Sequence, residues 1–346
     1  MLFRSIALPP FPPSSVPALR KFFKRRMSAL TRVLVLFEDP DNPQFPTEPG
    51  ARLEVGHRNL PRVVSLRLQN VSVSWSAHLL TRLVHLELID CNTPLRISFQ
   101  TFLDALRYGV VLYELSLINF LSSACIDPLE RAARAIRLPK LRVLHLEDSP
   151  ARVRHLLRHL SIPGIADVYL KGLVPPGLPA NDASISFASL LPPVLRLADR
   201  MPLLCEMESA SVWVMYEHCE VNYTCGRPKP RKRPVDLFLS SPAIKDWRVR
   251  TDETVRELGA LLPVAKLVKL ELSVDLDTVS RATWDVLFDR LHALEELRTI
   301  YGLGTPIHIL GALQGPPSSA LTAGTDDGAE GRVRCARMRK IGRAHV

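Results

Sequence analysis

Apolar residues in this chain recur in a fixed phrase, Leu-x-x-Leu-x-Leu, with polar residues between them. The phrase stands as Val63–Leu66–Leu68, Leu83–Leu86–Leu88, Leu112–Leu115–Leu117 and Leu141–Leu144–Leu146. It returns as Ile165–Val168–Leu170 and Leu267–Leu270–Leu272, with weaker echoes at Leu30–Val33–Val35 and Leu294–Leu297–Thr299. The first steps between phrases are 20, 29, 29 and 24 residues. The last two apolar positions of each phrase alternate with polar ones, which is the period of a strand. Strands are therefore predicted over 28–37, 60–70, 81–91, 112–120, 138–148, 165–170, 267–274 and 294–302. Between them the spacing changes: Phe99, Phe102, Leu103 and Leu106 stand at i, i+3, i+4 and i+7, so 99–108 is predicted helical. Helices are also predicted over 128–137, 151–160, 251–262 and 282–291, the one at 251 capped by Thr251 or Asp252.

Short strands alternating with short helices at a fixed period predict an α/β solenoid, each unit unable to bury its apolar edge alone. Successive strand residues point to opposite faces. The leucines then point inward, and the residues between them form a sheet on the concave side, with the helices on the convex side. That outward set is Ser65, Arg67, Gln69, His85, Glu87, Ile89, Glu114, Ser116, Ile118, Val143, His145, Glu147, Asp167, Tyr169, Lys171, Lys269, Glu271 and Ser273. Twelve of them are taken as partner-binding positions: Arg67, Gln69, His85, Glu87, Glu114, Ser116, His145, Glu147, Tyr169, Lys171, Lys269 and Glu271. Their mixture of charge, hydroxyl and apolar groups suits a protein partner better than a phosphate backbone.

Composition sharpens this picture at a few points. The 346 residues are 47 % hydrophobic but only 6 % aromatic, which suits thin repeated layers. The 29 prolines gather between the periodic segments. Residues 1–27 are expected to be disordered, marginally helical or a misassigned start. They form part of a 37-residue stretch with no acidic residue and loosely resemble a mitochondrial presequence, but Pro9, Pro10, Pro12, Pro13 and Pro17 would break its helix. The repeats are expected over 28–310, interrupted by a Pro-rich and basic insertion at 171–234 in which 211–221 reads as a strand, with another strand expected at 235–240 just after it. Residues 311–346 are expected to be a disordered tail with one further strand beginning in 333–340. The final Ile341–Val346 looks like a peptide read from a sequencing adapter, so no function is assigned to it. The six cysteines are widely spread, which fits reduced thiols and a cytoplasmic or nuclear setting rather than a disulfide framework. No apolar run is long enough for a membrane span.

Net charge is +10, carried mostly by scattered arginine, so a nucleic-acid partner is not the first expectation. The strongest run is Arg227–Pro234, in which Arg227, Lys229, Arg231, Lys232 and Arg233 form a candidate nuclear-import loop, or else an uneventful basic loop. His155 and His159 share a helix face, but HLLRH lacks the acid of a metalloprotease helix, so a surface or groove pair is expected. His218, Cys219 and Cys225 lack the second ligand pair of a zinc site. Gly302 and Gly304 lack the third glycine of a dinucleotide loop, and no nucleophile elbow occurs. No catalytic residue, cofactor or metal is assigned.

The six phrases, with Cys91 at the place usually held by Asn or Cys, resemble the leucine-rich repeat family over 60–174 and 260–302. Val71, Phe120 and Ser149 occupy that place in the other repeats. Phrases such as LPKLRVLHLED are more narrowly similar to fungal F-box-associated leucine-rich repeat proteins. That resemblance implies substrate recognition for a cullin-type ubiquitin ligase, with a Skp1-type adaptor held by an F-box. Residues 1–60 show no F-box pattern, so the box lies upstream or this member lacks it. The alternatives are a ligase-independent protein scaffold and a nuclear, nucleic-acid-associated protein acting through the basic loop 227–234.

Overall fold

The computed structural model describes residues 4–11, 15–37, 52–53, 59–69, 72–73, 77–91, 96–121, 135–178, 182, 185–224, 235–261, 267–300, 307–313 and 338–344. The chain is α/β with mostly parallel strand pairing. It divides into two compact units: Met1–Tyr169 with Asp199–Met201, and Leu170–Ala198 with Pro202–Val346.

In chain order the first unit holds β1 (Ser5–Phe11), α1 (Val16–Phe23), β2 (Arg32–Phe37), β3 (Arg52–Leu53), β4 (Ser65–Gln69), β5 (Ser72–Val73), α2 (Ala77–Leu80) and β6 (His85–Ile89). It continues with α3 (Arg96–Leu106), β7 (Glu114–Ile118), β8 (Ile136–Arg137), β9 (Val143–Asp148), α4 (Pro150–His159) and β10 (Leu160–Ser161). The unit boundary falls inside β11 (Asp167–Leu173). The main ladder runs β1-β2-β4-β6-β7-β9, every pair parallel. Two short pairs, β10 with β8 and β3 with β5, stand apart from it.

Register is set by the phrase itself. Val33, Leu66, Leu86, Leu115 and Leu144 are successive Cα partners, and so are Val35, Leu68, Leu88, Leu117 and Leu146. All ten are buried, most of them completely. Burying one such side chain is worth roughly 1.5–3 kcal/mol, and a one-residue slip would turn the whole row to water. In three of the phrases the first apolar residue closes a turn before its strand: the N–H of Val63, Leu112 and Leu141 donates to the carbonyl three residues back, at 3.4, 3.0 and 3.1 Å. Parallel strands need a crossover, and helices supply it: α4 packs against β9, and α2 against α3.

The ends of the strands repeat as well. Asp90 and Asn119, just after β6 and β7, adopt left-handed backbone (φ 51° and 48°), and Asn119 Nδ2 donates to Asp90 Oδ1 at 2.9 Å. Asn and Asp enter that region at less strain than other side chains. Next to this turn the buried Cys91 thiol donates to the Leu68 carbonyl of the preceding layer at 3.3 Å. One layer on, the same tie is made from the other side: Leu121 N–H donates to the Asp148 carboxylate at 3.1 Å. Burial raises the Asp148 pKa, against the opposing pull of Arg152 and two backbone N–H groups.

The second unit holds α5 (Phe187–Leu190), α6 (Val194–Arg200, its last two residues assigned to the first unit), β12 (Ser209–Val214), β13 (His218–Thr224), β14 (Val235–Ser240), α7 (Thr251–Leu261), β15 (Lys269–Ser273), α8 (Arg281–Arg290), β16 (Glu296–Ile300), α9 (Ile307–Leu313) and β17 (Lys340–Ala344). Its ladder runs β14-β13-β12-β15-β16-β17. From β12 to β17 the pairing is parallel, but β14-β13-β12 is antiparallel. Leu270, Leu272 and Leu297 repeat the inward rows, and α7 packs on α8 and α8 on α9.

Several expectations change here. In the lead expected to be disordered or marginally helical, Ser5–Phe11 form β1, which pairs in parallel with β2 with a register shift between Leu8 and Phe11, and Val16–Phe23 form the helix α1, which buries Leu19 and Phe23. The segment expected as an insertion contributes β12 and β13 to the second unit's ladder. The strand expected over 211–221 is two strands, because the chain reverses at 215–217 and returns antiparallel. Within the expected tail, β17 pairs in parallel with β16, and residues 333–337 of the strand expected to begin in 333–340 lie outside the described residues. The helix expected over 128–137 falls mostly outside the described residues, and Ile136–Arg137 is a short strand. Thr251 lies inside the α-helical run, and Asp246 caps the short 3-10 turn before it by accepting from Arg248 N–H at 3.0 Å.

Candidate protein-binding surface

In-register pairing converts the residues between the leucines into rows. One row of the first unit runs Ser65, His85, Glu114, Val143; the next runs Arg67, Glu87, Ser116, His145; the third runs Gln69, Ile89, Ile118, Glu147. The rows follow from the period of two along each strand and the equal spacing of the leucines. Cross-strand neighbours then satisfy one another. Arg67 Nε lies 3.1 Å from Glu87 Oε2, and His85 Nδ1 lies 3.1 Å from Glu114 Oε2. His145 stands 3.4 Å from Ser116 Oγ and 3.8 Å from Glu147, with its ring edge-on to Tyr169 at 4.6 Å. The Arg67–Glu87 and His85–Glu114 groups are a third to a half exposed, so each of these pairs is worth about 0–1 kcal/mol. Their stronger effect is to fix an alternating pattern of charge on the face.

Of the residues expected on this surface, Arg67, Gln69, His85, Glu87, Glu114, His145, Glu147 and Tyr169 share the first unit's face. Ser116 shares the row but is buried at 4 % exposure beside His145, so it is not open to a partner. Lys171, Lys269 and Glu271 belong to the second unit. There Lys269 Nζ lies 3.4 Å from Glu271, and Glu296 joins Arg298 (2.7 Å) to Lys340 (3.2 Å). Arg227, Lys229, Arg231, Lys232 and Arg233 lie outside the described residues.

The antiparallel strands bring residues to the second unit's face that the repeat phrase did not indicate. Trp213, Glu220 and Phe238 are consecutive register partners across β12, β13 and β14, and Asn222 Nδ2 donates to Glu220 at 2.7 Å. At the turn between β12 and β13 Tyr216 is 59 % exposed, with the Arg248 guanidinium 3.9 Å over its ring. Arg248 is held from its other side by Asp246 through contacts of 2.7–3.2 Å, which raises the Arg248 pKa and lowers that of Asp246. The strict alternation of 209–214 and 218–224 was the available signal. The turn MYEH carries none of the Gly or Asn residues that mark hairpins.

The other candidates separate or become buried. His218 and Cys219 are adjacent in β13, so they point to opposite faces. Cys219 is buried 3.8 Å from Thr254 Oγ1, its thiol pushed up to about 12 by burial, and Cys225 lies outside the described residues. His155 and His159 are buried at 3 % and 4 % exposure, not a surface pair: the α4 face they share packs on Phe99, whose ring lies 5.3 and 5.8 Å from theirs. Burial and neighbouring cations lower His159 to about 4. Among the described residues no group of three or more His, Cys, Asp or Glu side chains could hold a metal ion, and no helix is long and apolar enough to cross a membrane. Comparison with known proteins gives no matching family model, no similar curated protein and no similar solved structure.

Proposed function

We propose that this chain is a non-enzymatic, leucine-rich-repeat-type solenoid that binds another protein through the outward face of its strands. The observation that carries the reading is the register: the rows Arg67–Glu87–Ser116–His145 and Gln69–Ile89–Ile118–Glu147 stay in phase across four strands. A surface of repeated strands presents side chains on a rigid grid, where orientation costs a partner little on binding. Pre-paired charges give such a face specificity more than raw affinity. The more specific role, substrate recognition for a cullin-type ubiquitin ligase in the cytoplasm or nucleus, rests on the resemblance of the repeat phrases. A ligase-independent scaffold is the alternative.

The test is affinity capture from native extract with the full chain and two charge-swapped variants, Arg67→Glu/Glu87→Arg and Lys269→Glu/Glu271→Lys. Each swap keeps an internal pair but inverts what the face presents. Partner capture should fall at least about tenfold for one of them. Undiminished capture by both would reject the face. Absence of a Skp1-type adaptor and a cullin from material captured with a chain extended upstream to include an F-box would reject the ligase role alone.

A further inference from the structure

The edge of the first unit at which the strands begin is basic along its length. Backbone bonds hold that edge in register: Val64 N–H donates to the Thr31 carbonyl, Val84 to Val64, Tyr113 to Val84 and Arg142 to Tyr113, at 2.8–2.9 Å. The residue just ahead of each apolar phrase must face water, and the repeat places it alike in every layer. In three layers that residue is Arg62, Arg82 or Lys140, all exposed. Arg82 donates to the Pro61 carbonyl at 2.9 Å, which ties it to the turn of the layer before. The turn before β2 lies beside them: Met27 N–H donates to the Asn59 carbonyl at 2.7 Å, and Arg25 and Arg26 are exposed on it. No Asp or Glu occurs in 24–32, 59–64, 81–84, 107–113 or 138–142. Arg25, Arg26, Arg62, Arg82, Lys140 and Arg142 have no ion pair among the described residues. In the β7 layer Val111 takes the place of the cation, and there two rings stand open, Tyr108 at 54 % and Tyr113 at 39 % exposure.

We propose that this edge of the first unit is a docking surface for a single-stranded nucleic acid. Cations gathered on one edge without acids among them repel one another, and a polyanion relieves that repulsion. From β2 to β9 they are set out over four strand spacings, about 19 Å. A line of charge suits a linear polymer with a phosphate on every residue, and arginine meets phosphate oxygens two at a time. The open tyrosines decide between polyanions. Unpaired bases stack on such rings, whereas an acidic peptide would leave them unused and a duplex keeps its bases stacked on one another. Arginines that are scattered along the sequence are thus brought to one edge by the equal spacing of the repeat. The surface lies at the ends of the strands rather than along their outward face, so it stands independently of the protein-binding reading.

The experiment is a fluorescence-anisotropy titration of the full chain against a labelled oligouridine of about twelve nucleotides, repeated over a range of salt concentrations. Saturable binding is expected, with log affinity falling against log salt at a slope of about −4, the value for one phosphate met by each of these cations. Arg62→Gln/Arg82→Gln should weaken binding about tenfold or more and make the slope shallower by about 1. Arg25→Gln/Arg26→Gln should do the same, and because those side chains make no hydrogen bond among the described residues, it separates lost contact from altered folding. Tyr108→Ala and Tyr113→Ala should each cost about fivefold or more and leave the slope unchanged, the mark of stacking rather than charge. Arg290→Gln, at an exposed arginine of α8 in the second unit, should bind as wild type does. Tighter binding to a duplex of the same length, to poly-glutamate or to phosphatidylserine vesicles would overturn the assignment. So would binding that both arginine pairs leave unchanged, or that neither tyrosine variant weakens.

Discussion

Leu115 is the sharpest test of the inward rows. It is fully buried in β7, with Leu86 and Leu144 as its register partners on either side. Leu115→Ala removes three carbons from a position closed on both flanks by neighbouring strands about 4.8 Å away, so the site has little room to collapse. Large-to-small changes of this kind cost about 3–5 kcal/mol, the sum of lost transfer energy and the cavity left behind. For a unit of this size that is roughly a 10 °C fall in Tm. Leu115→Asp should be worse, because it places an unpaired charge in the same space. Its chain neighbour Glu114 faces the other way, nearly half exposed and 3.1 Å from His85, so Glu114→Ala should cost no more than about 1 kcal/mol. Urea unfolding by circular dichroism measures both, and hydrogen exchange should show lost protection centred on β6, β7 and β9. A loss below about 1 kcal/mol for Leu115→Ala, or equal losses for Leu115→Ala and Glu114→Ala, would refute the inward assignment.

Burial holds Glu257 at about 7, above its ordinary 4.5, while it accepts from Phe187 N–H at 2.8 Å. The folded chain then binds more protons than the unfolded one between these values, so stability present at low pH is lost as pH rises through 7. Glu257→Gln keeps an acceptor and should flatten that limb, by on the order of 3 kcal/mol at pH 8; an unchanged pH profile would reject the assignment. His159 has the opposite sign: lowered to about 4, it contributes stability above pH 6.5 that is lost as pH falls through 4, and His159→Gln should remove that acid limb in melts recorded from pH 7 to 4. Trp213→Ala should weaken partner capture by the second unit by about tenfold with little change in melting, since tryptophan is enriched among binding hot spots; a captured fraction equal to wild type would exclude it from the interface.

The rows of leucine were legible because burial imposes a strict period, and every phrase from Val63 to Leu297 that falls on described residues supplies inward side chains. The outward rows followed from the same period without further assumption. Less legible were positions where the partner in space is distant in sequence. Ser116 reads like any other outward residue, and only the approach of His145 from the next strand buries it. His155 and His159 look like a polar pair on a charged helix until Phe99, more than fifty residues earlier, closes over them. The reversal at 215–217 left no mark, because backbone pairing rather than turn composition holds it. What the sequence by itself determined is which aliphatic side chains of the repeat leave water, since the spacing of apolar residues is a local property. What only the tertiary structure decided is which polar groups meet and which strands reverse, because those depend on the order in which strands and helices pack, and that order is set by long-range contacts no local pattern encodes.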